Sequence, residues 1–177
     1  MWRTVTPPLD EVQIISRCPG ETQALGRTLG ACLQAGDWLG LTGELGAGKT
    51  CLVQGLAAGL GVPAGVPVTS PTFVIRQTYP GRIPVFHLDL YRLASSAELA
   101  DLGYEEVVDG EGVCVVEWCD QIPEANPGRG LRLVIEILDG SSRQLTLFAL
   151  DPRGGKILQA LTSRDPSVAH IVKRGRE

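Results

Sequence analysis

Apolar positions along the chain repeat with two different periods, and these periods predict its first elements. Between residues 20 and 34 the apolar side chains recur at helical spacing, which predicts an amphipathic helix. "DWLGLTG" is a short apolar run that predicts a buried strand, and "KTCLVQGLAAGLG" predicts a helix that ends near Gly59 and Gly61. The segment "VPAGVPVTSPT" contains three prolines and has no periodicity, so we expect a loop there.

The second half of the chain has mostly the pattern of strands. "FVIRQTY" and "IPVFHLDLY" predict two strands around a turn at "PGR", and "GVCVVEW" predicts a further buried strand. "SSAELADLGYEEVVDG" predicts one or two short helices, with Ser95 or Ser96 as N-cap. "RLVIEIL" and "RQLTLFAL" flank "DGSS" and predict a hairpin, and "GGKILQALTS" predicts a last helix. This order indicates α/β layers with an antiparallel portion toward the end.

Length and composition narrow the class of protein. A chain of 177 residues suits one domain, and we expect that domain over residues 1–163 and a flexible basic tail over 164–177. No apolar run approaches the roughly 18 residues that span a bilayer. The N-terminus has no basic segment followed by an apolar one, so we expect no signal peptide, no membrane contact and a cytoplasmic location.

Charge and cysteine content exclude two further classes. The formal net charge of -4 argues against a protein that grips nucleic acid by itself, because such proteins carry a broad basic surface. The five cysteines form no C-x-x-C pair, so neither a disulfide framework nor a zinc site is expected. We expect most of these cysteines to be small buried apolar residues.

"TGELGAGKTC" (Thr42–Cys51) contains the complete pattern of a phosphate-binding loop. Its glycines allow the backbone N–H groups to curl around a triphosphate, at the positive end of the following helix. Lys49 supplies a point charge for the β- and γ-phosphates, and the Thr50 hydroxyl is suited to coordinate Mg²⁺. The residues expected to bind the nucleotide here are Gly43, Glu44, Leu45, Gly46, Ala47, Gly48, Lys49, Thr50 and Cys51.

Two acidic residues follow apolar strands and are candidates for the magnesium site. Asp89 ends "PVFHLD" and Glu117 ends "GVCVVE". Because the carboxyl ends of parallel strands meet at one edge of a sheet, both should emerge there. The residues themselves leave open which of the two contacts the metal. No lysine follows an asparagine, so the Asn-Lys-x-Asp motif of GTPases is absent and ATP is the expected nucleotide.

Several segments together carry a resemblance to a known family. They are "GELGAGKT", "SPTF" (Ser70 to Phe73), "HLDLYRL" (His87 to Leu93), "ELADLGYEE" (Glu98 to Glu106) and "VVEW" (Val115 to Trp118). In this order and spacing the chain resembles the TsaE/YjeE family, the bacterial P-loop ATPases required for threonylcarbamoyladenosine (t6A) modification of tRNA. The resemblance extends from about residue 20 to residue 150. The family usually has Asp at the position of Glu44 and a second Thr at the position of Cys51.

The resemblance implies a fold, a cofactor and a site. The expected fold is α/β and P-loop NTPase-like, with a mainly parallel sheet flanked by helices and a C-terminal antiparallel hairpin extension. ATP with Mg²⁺ is the implied cofactor, and ATP hydrolysis the implied activity. By the resemblance, Thr50 and Glu117 hold the metal, and Asp89 is the catalytic or water-positioning acid. Glu21 or Thr22, together with Arg143, correspond to residues that enclose the adenine.

The resemblance also implies a partner and a role. The partner is the complex of the threonylcarbamoyl transferase subunit with its inactive paralogue, of the TsaD–TsaB type. We expect tRNA to be contacted only indirectly, through that complex. The chain would then act as a conformational reset factor that hydrolyses ATP slowly alone and faster with its partner.

Four further segments have both a functional and a structural interpretation. Trp118 either shields the nucleotide or is a core aromatic. His87 lies two residues before Asp89, on the same face of the strand, and is either a proton carrier or a buried structural histidine. Arg92 is expected either to pair with an acid or a phosphate at the site or, by default, to form a structural ion pair. Residues 70–73 form either a switch that senses the γ-phosphate or an ordinary loop.

Two other functions share the phosphate loop. A small-molecule P-loop kinase is the main alternative, but it would need an acceptor pocket and usually an arginine-bearing lid, and the second half of the chain has few clustered arginines. A scaffold that binds nucleotide without hydrolysing it is the other. Phosphate release measured with and without candidate acceptors distinguishes the three.

Overall fold

The computed structural model describes residues 10–165 and 171–172 of the chain. In this part of the chain there are eight strands, five α-helices and one 3₁₀ turn. The strands are β1 (Glu11–Ser16), β2 (Trp38–Thr42), β3 (Arg76–Tyr79), β4 (Val85–Asp89), β5 (Val113–Glu117), β6 (Leu131–Ile137), β7 (Arg143–Ala149) and β8 (Ile171–Val172). The helices are α1 (Pro19–Cys32), α2 (Lys49–Gly59), α3 (Ser96–Asp101), α4 (Tyr104–Val108) and α5 (Pro152–Arg164), and the 3₁₀ turn is Pro123–Ala125.

All eight strands join one sheet in the order β3-β4-β5-β2-β6-β7-β1-β8. The four central strands, β4, β5, β2 and β6, are parallel. Strand β3 pairs antiparallel at one edge, and β7, β1 and β8 continue the sheet antiparallel on the other side. The predicted α/β fold with a parallel core is therefore confirmed, and the antiparallel part extends beyond the predicted hairpin.

Helices cover both faces of the parallel core, and this explains the apolar character of its strands. Every residue of β2 and of β5 is buried. Along β5, Val113 and Val115 join the core under α1, α2 and α5, while Cys114 and Val116 join the core under α3 and α4. Such strands have continuous apolar runs because neither face is in contact with water.

One predicted strand boundary was wrong, and one strand was not predicted. "FVIRQTY" forms a strand only from Arg76, because residues 72–74 form a turn in which the N–H groups of Val74 and Ile75 both bond the carbonyl of Pro71. Ile75 itself has φ of 65°, which interrupts an extended chain. At the N-terminal end, β1 was not predicted, although it pairs along its whole length with β7.

The predicted tail includes residues that belong to a helix and to a strand. Arg164 is the last residue of α5, and Ile171–Val172 pair with β1 as the short strand β8. These residues are therefore not a tail without structure. Strand β8 pairs with the edge of β1 that would otherwise be open. Residues 166–170 and 173–177 of the predicted tail lie outside the described residues.

Helix α2 follows the phosphate loop, and its position is set by backbone contact with α1. A Cβ atom added at Gly26 or Gly30 would collide with the backbone carbonyls of Leu52 and Leu56. A Cβ atom added at Gly55 or Gly59 would likewise collide with the carbonyls of Gln23 and Arg27. Glycines spaced four apart on both helices therefore allow the two backbones to touch, and no side chain separates them.

We predict that Gly55→Ala destabilises the protein. The added methyl group meets backbone atoms of Gln23, which cannot rotate away, so the helices must separate. Overpacking of this kind lowers the free energy of unfolding by about 1–3 kcal/mol. Urea denaturation followed by circular dichroism measures the change.

The control is Gly20→Ala in the same helix pair, at an exposed site. There the new Cβ meets only the Cys18 sulfur at 3.7 Å, an ordinary contact, and the expected change stays within about 0.5 kcal/mol. A Gly55→Ala protein as stable as the Gly20→Ala protein would contradict backbone contact between α1 and α2.

Candidate functional site

The phosphate loop occupies residues 43–48, between the buried strand β2 and the first residue of α2. This strand–loop–helix context is the one that the motif predicts. Gly43, Gly46 and Gly48 have φ of 148°, 79° and 109°, a region that favours glycine. Gly43 also has no room for a side chain, because a Cβ atom would lie 2.6 Å from the carbonyl oxygen of Ile135 on β6. The loop is therefore shaped by its glycines and fixed against the neighbouring strand.

Lys49 is buried, and its ammonium group lies inside the curve of the phosphate loop. Nζ donates hydrogen bonds to the carbonyl oxygens of Gly43 (2.7 Å) and Glu44 (2.9 Å) and lies 3.9 Å from the ring centroid of Trp118. Burial lowers the pKa of Lys49, and nearby carboxylates, chiefly that of Glu117, act in the opposite direction. The result is a cation held at the centre of a curled backbone, which is the arrangement that attracts an anion.

Thr50 and Glu117 meet at the carboxyl end of the parallel strands. The Thr50 hydroxyl donates to Glu117 Oε1 at 2.9 Å, and His87 Nε2 lies 2.8 Å from the same oxygen. The carboxylate is almost completely buried. A threonine hydroxyl beside a carboxylate is an oxygen donor set of the kind that Mg²⁺ prefers. His87 is also buried and hydrogen-bonded, as the structural interpretation of this residue requires.

Asp89 lies beside Glu117, since the two residues are register partners on β4 and β5. The prediction that both acids emerge at one sheet edge is thus confirmed. Asp89 Oδ2 accepts hydrogen bonds from the hydroxyls of Ser70 (2.6 Å) and Thr72 (2.7 Å), and Oδ1 accepts from the Tyr91 N–H (2.9 Å). The aspartate therefore holds the loop of residues 70–72 against the carboxyl ends of the parallel strands.

Trp118 turns the chain away from the sheet directly after Glu117. Its φ of 58° is unusual for a residue with a side chain. The indole contacts the Lys49 ammonium on one side and lies 5.0 Å from the ring centroid of Tyr91. Trp118 is half-buried, so it lies between the two predicted alternatives, a ring at the site and a core aromatic.

Arg143 braces the phosphate loop from the start of β7. Its Nε donates to the carbonyl oxygen of Ala47 at 3.0 Å, and the same guanidinium also donates to the carbonyls of Asp139 and Ser142. The family resemblance implied that Arg143 encloses the adenine side, and its contacts in the structure are with the loop backbone and the hairpin turn. A backbone contact of this kind has no sequence signal.

Glu21 and Thr22, two further predicted nucleotide residues, lie at the start of α1. Glu21 is exposed and its carboxylate accepts from the Arg17 N–H at 2.7 Å. Thr22 is buried and shares a 2.7 Å hydrogen bond with the Ser16 hydroxyl. The Cys51 thiol donates to the Pro19 carbonyl at 3.4 Å, which links this region to α2. None of these three side chains bonds the acids at the strand ends.

Two large apolar side chains near the site face solvent. Leu45 in the phosphate loop is 80% exposed, and Phe73 after the Asp89-bonded hydroxyls is 87% exposed. Arg92 lies over the Phe73 ring, 5.5 Å from its centroid, and forms no salt bridge with an acid among the described residues. Phe73 and Arg92 also line a groove of about 380 Å³ with residues of α3. The structural ion pair predicted for Arg92 is therefore absent among the described residues, and its guanidinium contacts the Phe73 ring instead.

Two absences concern the described residues only. In residues 10–165 and 171–172 no group of three or more His, Cys, Asp or Glu side chains is arranged to hold a metal ion by itself. Within the same residues, no helix has the length and apolar character that crossing a membrane requires.

Comparison with known proteins agrees with this geometry. The family model "Threonylcarbamoyl adenosine biosynthesis protein TsaE" matches residues 16–145. The chain is 38% identical to the tRNA threonylcarbamoyladenosine biosynthesis protein TsaE of Treponema pallidum, over 77% of this chain and 99% of that protein. It is also 38% identical to the Bacillus subtilis protein of the same name, over 93% of this chain and 94% of that protein.

A solved structure supports the same assignment. The crystal structure of YdiB from Bacillus subtilis superposes with a TM-score of 0.77 at 34% identity, covering 88% of this chain and 96% of that one. Since the family model covers most of the chain and the relatives match along nearly their whole length, sequence and fold lead to one result. The chain belongs to the TsaE family of threonylcarbamoyl adenosine biosynthesis proteins.

Proposed function

We propose that this protein binds ATP with Mg²⁺ and hydrolyses it to reset a threonylcarbamoyl transferase complex during t6A modification of tRNA. The observation that carries the proposal is the meeting of Lys49, Thr50, Glu117 and Asp89 at one sheet edge. Phosphoryl transfer to water needs a phosphate cradle, a metal-binding hydroxyl, a carboxylate and a group that orients the water. These four residues are of the types that fill those roles.

The oxygen donors at the site suit a magnesium ion. Thr50 and Glu117 would hold Mg²⁺, with the other positions filled by phosphate oxygens and water, as is usual for this ion. When bound, Mg²⁺ neutralises the charge that develops on the phosphate oxygens.

Asp89 is the acid that we assign to hydrolysis. It lies next to Glu117 on the neighbouring strand, but its carboxylate has different hydrogen-bond partners from that of Glu117. Its partners are the Ser70 and Thr72 hydroxyls, on the loop that we propose as the γ-phosphate sensor. Loss of the γ-phosphate would then change both the acid and the loop, as in other nucleotide switches.

Coupling to a partner explains why so small a chain has this site. The threonylcarbamoyl group is already activated on an adenylate, so its transfer to tRNA needs no phosphoryl donor. Hydrolysis is then available for a conformational step. We propose the TsaD–TsaB type complex as the partner and, since the net charge here is -4, that the partner holds the tRNA.

Lys49→Ala is predicted to weaken ATP binding strongly, because the phosphates lose their cation. Loss of a charged hydrogen-bonding partner costs about 1.5–3 kcal/mol, which corresponds to roughly a 10- to 100-fold higher Kd. Isothermal calorimetry with ATP and Mg²⁺ measures this. Lys156→Ala, an exposed lysine of α5, is the control and should bind ATP like the parent. Parent-like binding by Lys49→Ala would exclude the phosphate loop as the nucleotide site.

Asp89 and Glu117 should separate by role. We expect Asp89→Asn to bind ATP normally and to hydrolyse it at least about 100-fold more slowly, the usual effect of removing a general base. Glu117→Gln should raise the Mg²⁺ concentration needed for binding. Calorimetry and phosphate release measure the two effects, with the exposed Glu124→Gln as control. Normal hydrolysis by Asp89→Asn together with loss of Mg²⁺ dependence would reverse the two assignments.

The reset role predicts that hydrolysis governs repeated turnover. The partner complex, tRNA and threonylcarbamoyl-adenylate are combined with this protein and either ATP or a non-hydrolysable analogue, and modified tRNA is counted per complex. We expect many turnovers with ATP and about one with the analogue. Equal product with both nucleotides, well beyond one turnover, would show that hydrolysis is not the reset step.

A further inference from the structure

His87 is a buried imidazole that the proposed reaction does not use. It is 0% exposed and lies in the middle of β4. Its Nε2 is 2.8 Å from Glu117 Oε1 on the neighbouring strand. Its Nδ1 is buried and has no hydrogen-bond partner among the described residues. A buried polar atom without a partner has a free-energy cost, so this side chain needs a reason beyond packing.

The two donors that contact Glu117 converge on a single oxygen atom. Thr50 Oγ1 reaches Oε1 from α2, and His87 Nε2 reaches it from β4. Both hydrogen bonds from described residues therefore go to Oε1 and leave Oε2 available. Two donors from different directions also fix the rotation of the carboxylate about its last bond. A carboxylate held in one orientation binds a metal or its water without losing rotational freedom.

The hydrogen-bond partners also determine the imidazole tautomer. An ionised carboxylate only accepts hydrogen bonds, so Nε2 must carry the hydrogen atom. Nδ1 is then the nitrogen without a hydrogen atom, and it is buried with no hydrogen-bond partner among the described residues. The His87 ring lies 6.1 Å from the Tyr79 ring, measured between centroids. The opposite tautomer would bury an unsatisfied N–H and oppose two acceptors, which costs more.

We propose that His87 is a positioning residue, whose Nε2–H holds the Glu117 carboxylate so that Oε2 faces the magnesium ion or its water. This inference rests on the proposed function, because it assigns a role within the proposed metal site. Hydrogen bonds that orient ligands in this way typically change metal affinity by about 10- to 100-fold. Nucleotide affinity without metal does not depend on the orientation of Glu117.

Two variants of different chemistry test this role. His87→Gln keeps an N–H donor near the position of Nε2, and His87→Leu removes the donor and stays apolar. Calorimetry measures ADP binding in EDTA and over a series of Mg²⁺ concentrations. We expect His87→Leu to need at least about 10-fold more Mg²⁺ for ADP binding, with unchanged affinity in EDTA. The Mg²⁺ requirement of His87→Gln should remain within a few-fold of that of the parent.

The outcomes distinguish this inference from the proposed function. If ADP binding by the parent depends on Mg²⁺, three results overturn the role of His87 alone. Both variants bind like the parent, both need equally more Mg²⁺, or the affinity of the variants falls equally in EDTA. A parent whose binding ignores Mg²⁺ overturns the metal site and the positioning role together. Thermal unfolding of each variant identifies a folding defect, in which case the next measurement decides.

The intact protein gives a test without substitution at His87. The chain has two histidines, so His170→Gln leaves the imidazole of His87 as the single histidine signal. Long-range ¹H–¹⁵N spectra report which ring nitrogen carries the hydrogen atom. We expect a protonated Nε2 whose resonance shifts when Mg²⁺ is added to the ADP-bound protein. An Nε2 without hydrogen, or a resonance that Mg²⁺ leaves unchanged, would overturn the proposal.

Discussion

The close approach of α1 and α2 is the constraint on which the site depends. Glycines on both helices bring the two backbones into contact, so α2 has little freedom to shift along or away from α1. The first two residues of α2 are Lys49 and Thr50. Their positions relative to the sheet are therefore fixed by packing on the far side of the helix, before any ligand contributes.

The sheet supplies the other half of the site by register. Parallel pairing of β4 with β5 places Asp89 beside Glu117, and parallel pairing of β5 with β2 places Glu117 beside the strand that leads into the phosphate loop. The hydrogen bond from Thr50 to Glu117 joins the two halves. The arrangement is thus a product of strand order as much as of the local motif, and a loop of the same sequence on another sheet would lack its acids.

Much of this could be predicted from sequence, and the failures have physical reasons. The buried central strands were predicted because full burial requires continuous apolar runs, and α2 was predicted from the helical pattern that ends at glycines. Strand β1 was missed because only part of "EVQIIS" is buried, and its apolar residues neither alternate strictly nor form a continuous run. "FVI" was misassigned because apolar character predicts burial, whereas Phe73 is exposed. The contacts of Arg143 with backbone carbonyls depend on the folded loop and have no pattern in the chain.

The hydrogen bonds between Asp89 and the hydroxyls of Ser70 and Thr72 bear on the rate of the proposed hydrolysis as well as on the geometry of the site. An oxygen that accepts two hydroxyl hydrogens has little capacity left to accept from a water molecule. If Asp89 orients the attacking water through Oδ2, the hydroxyls of Ser70 and Thr72 must first leave that oxygen. The rate at which these two hydroxyl groups leave would then determine how long the bound triphosphate remains intact.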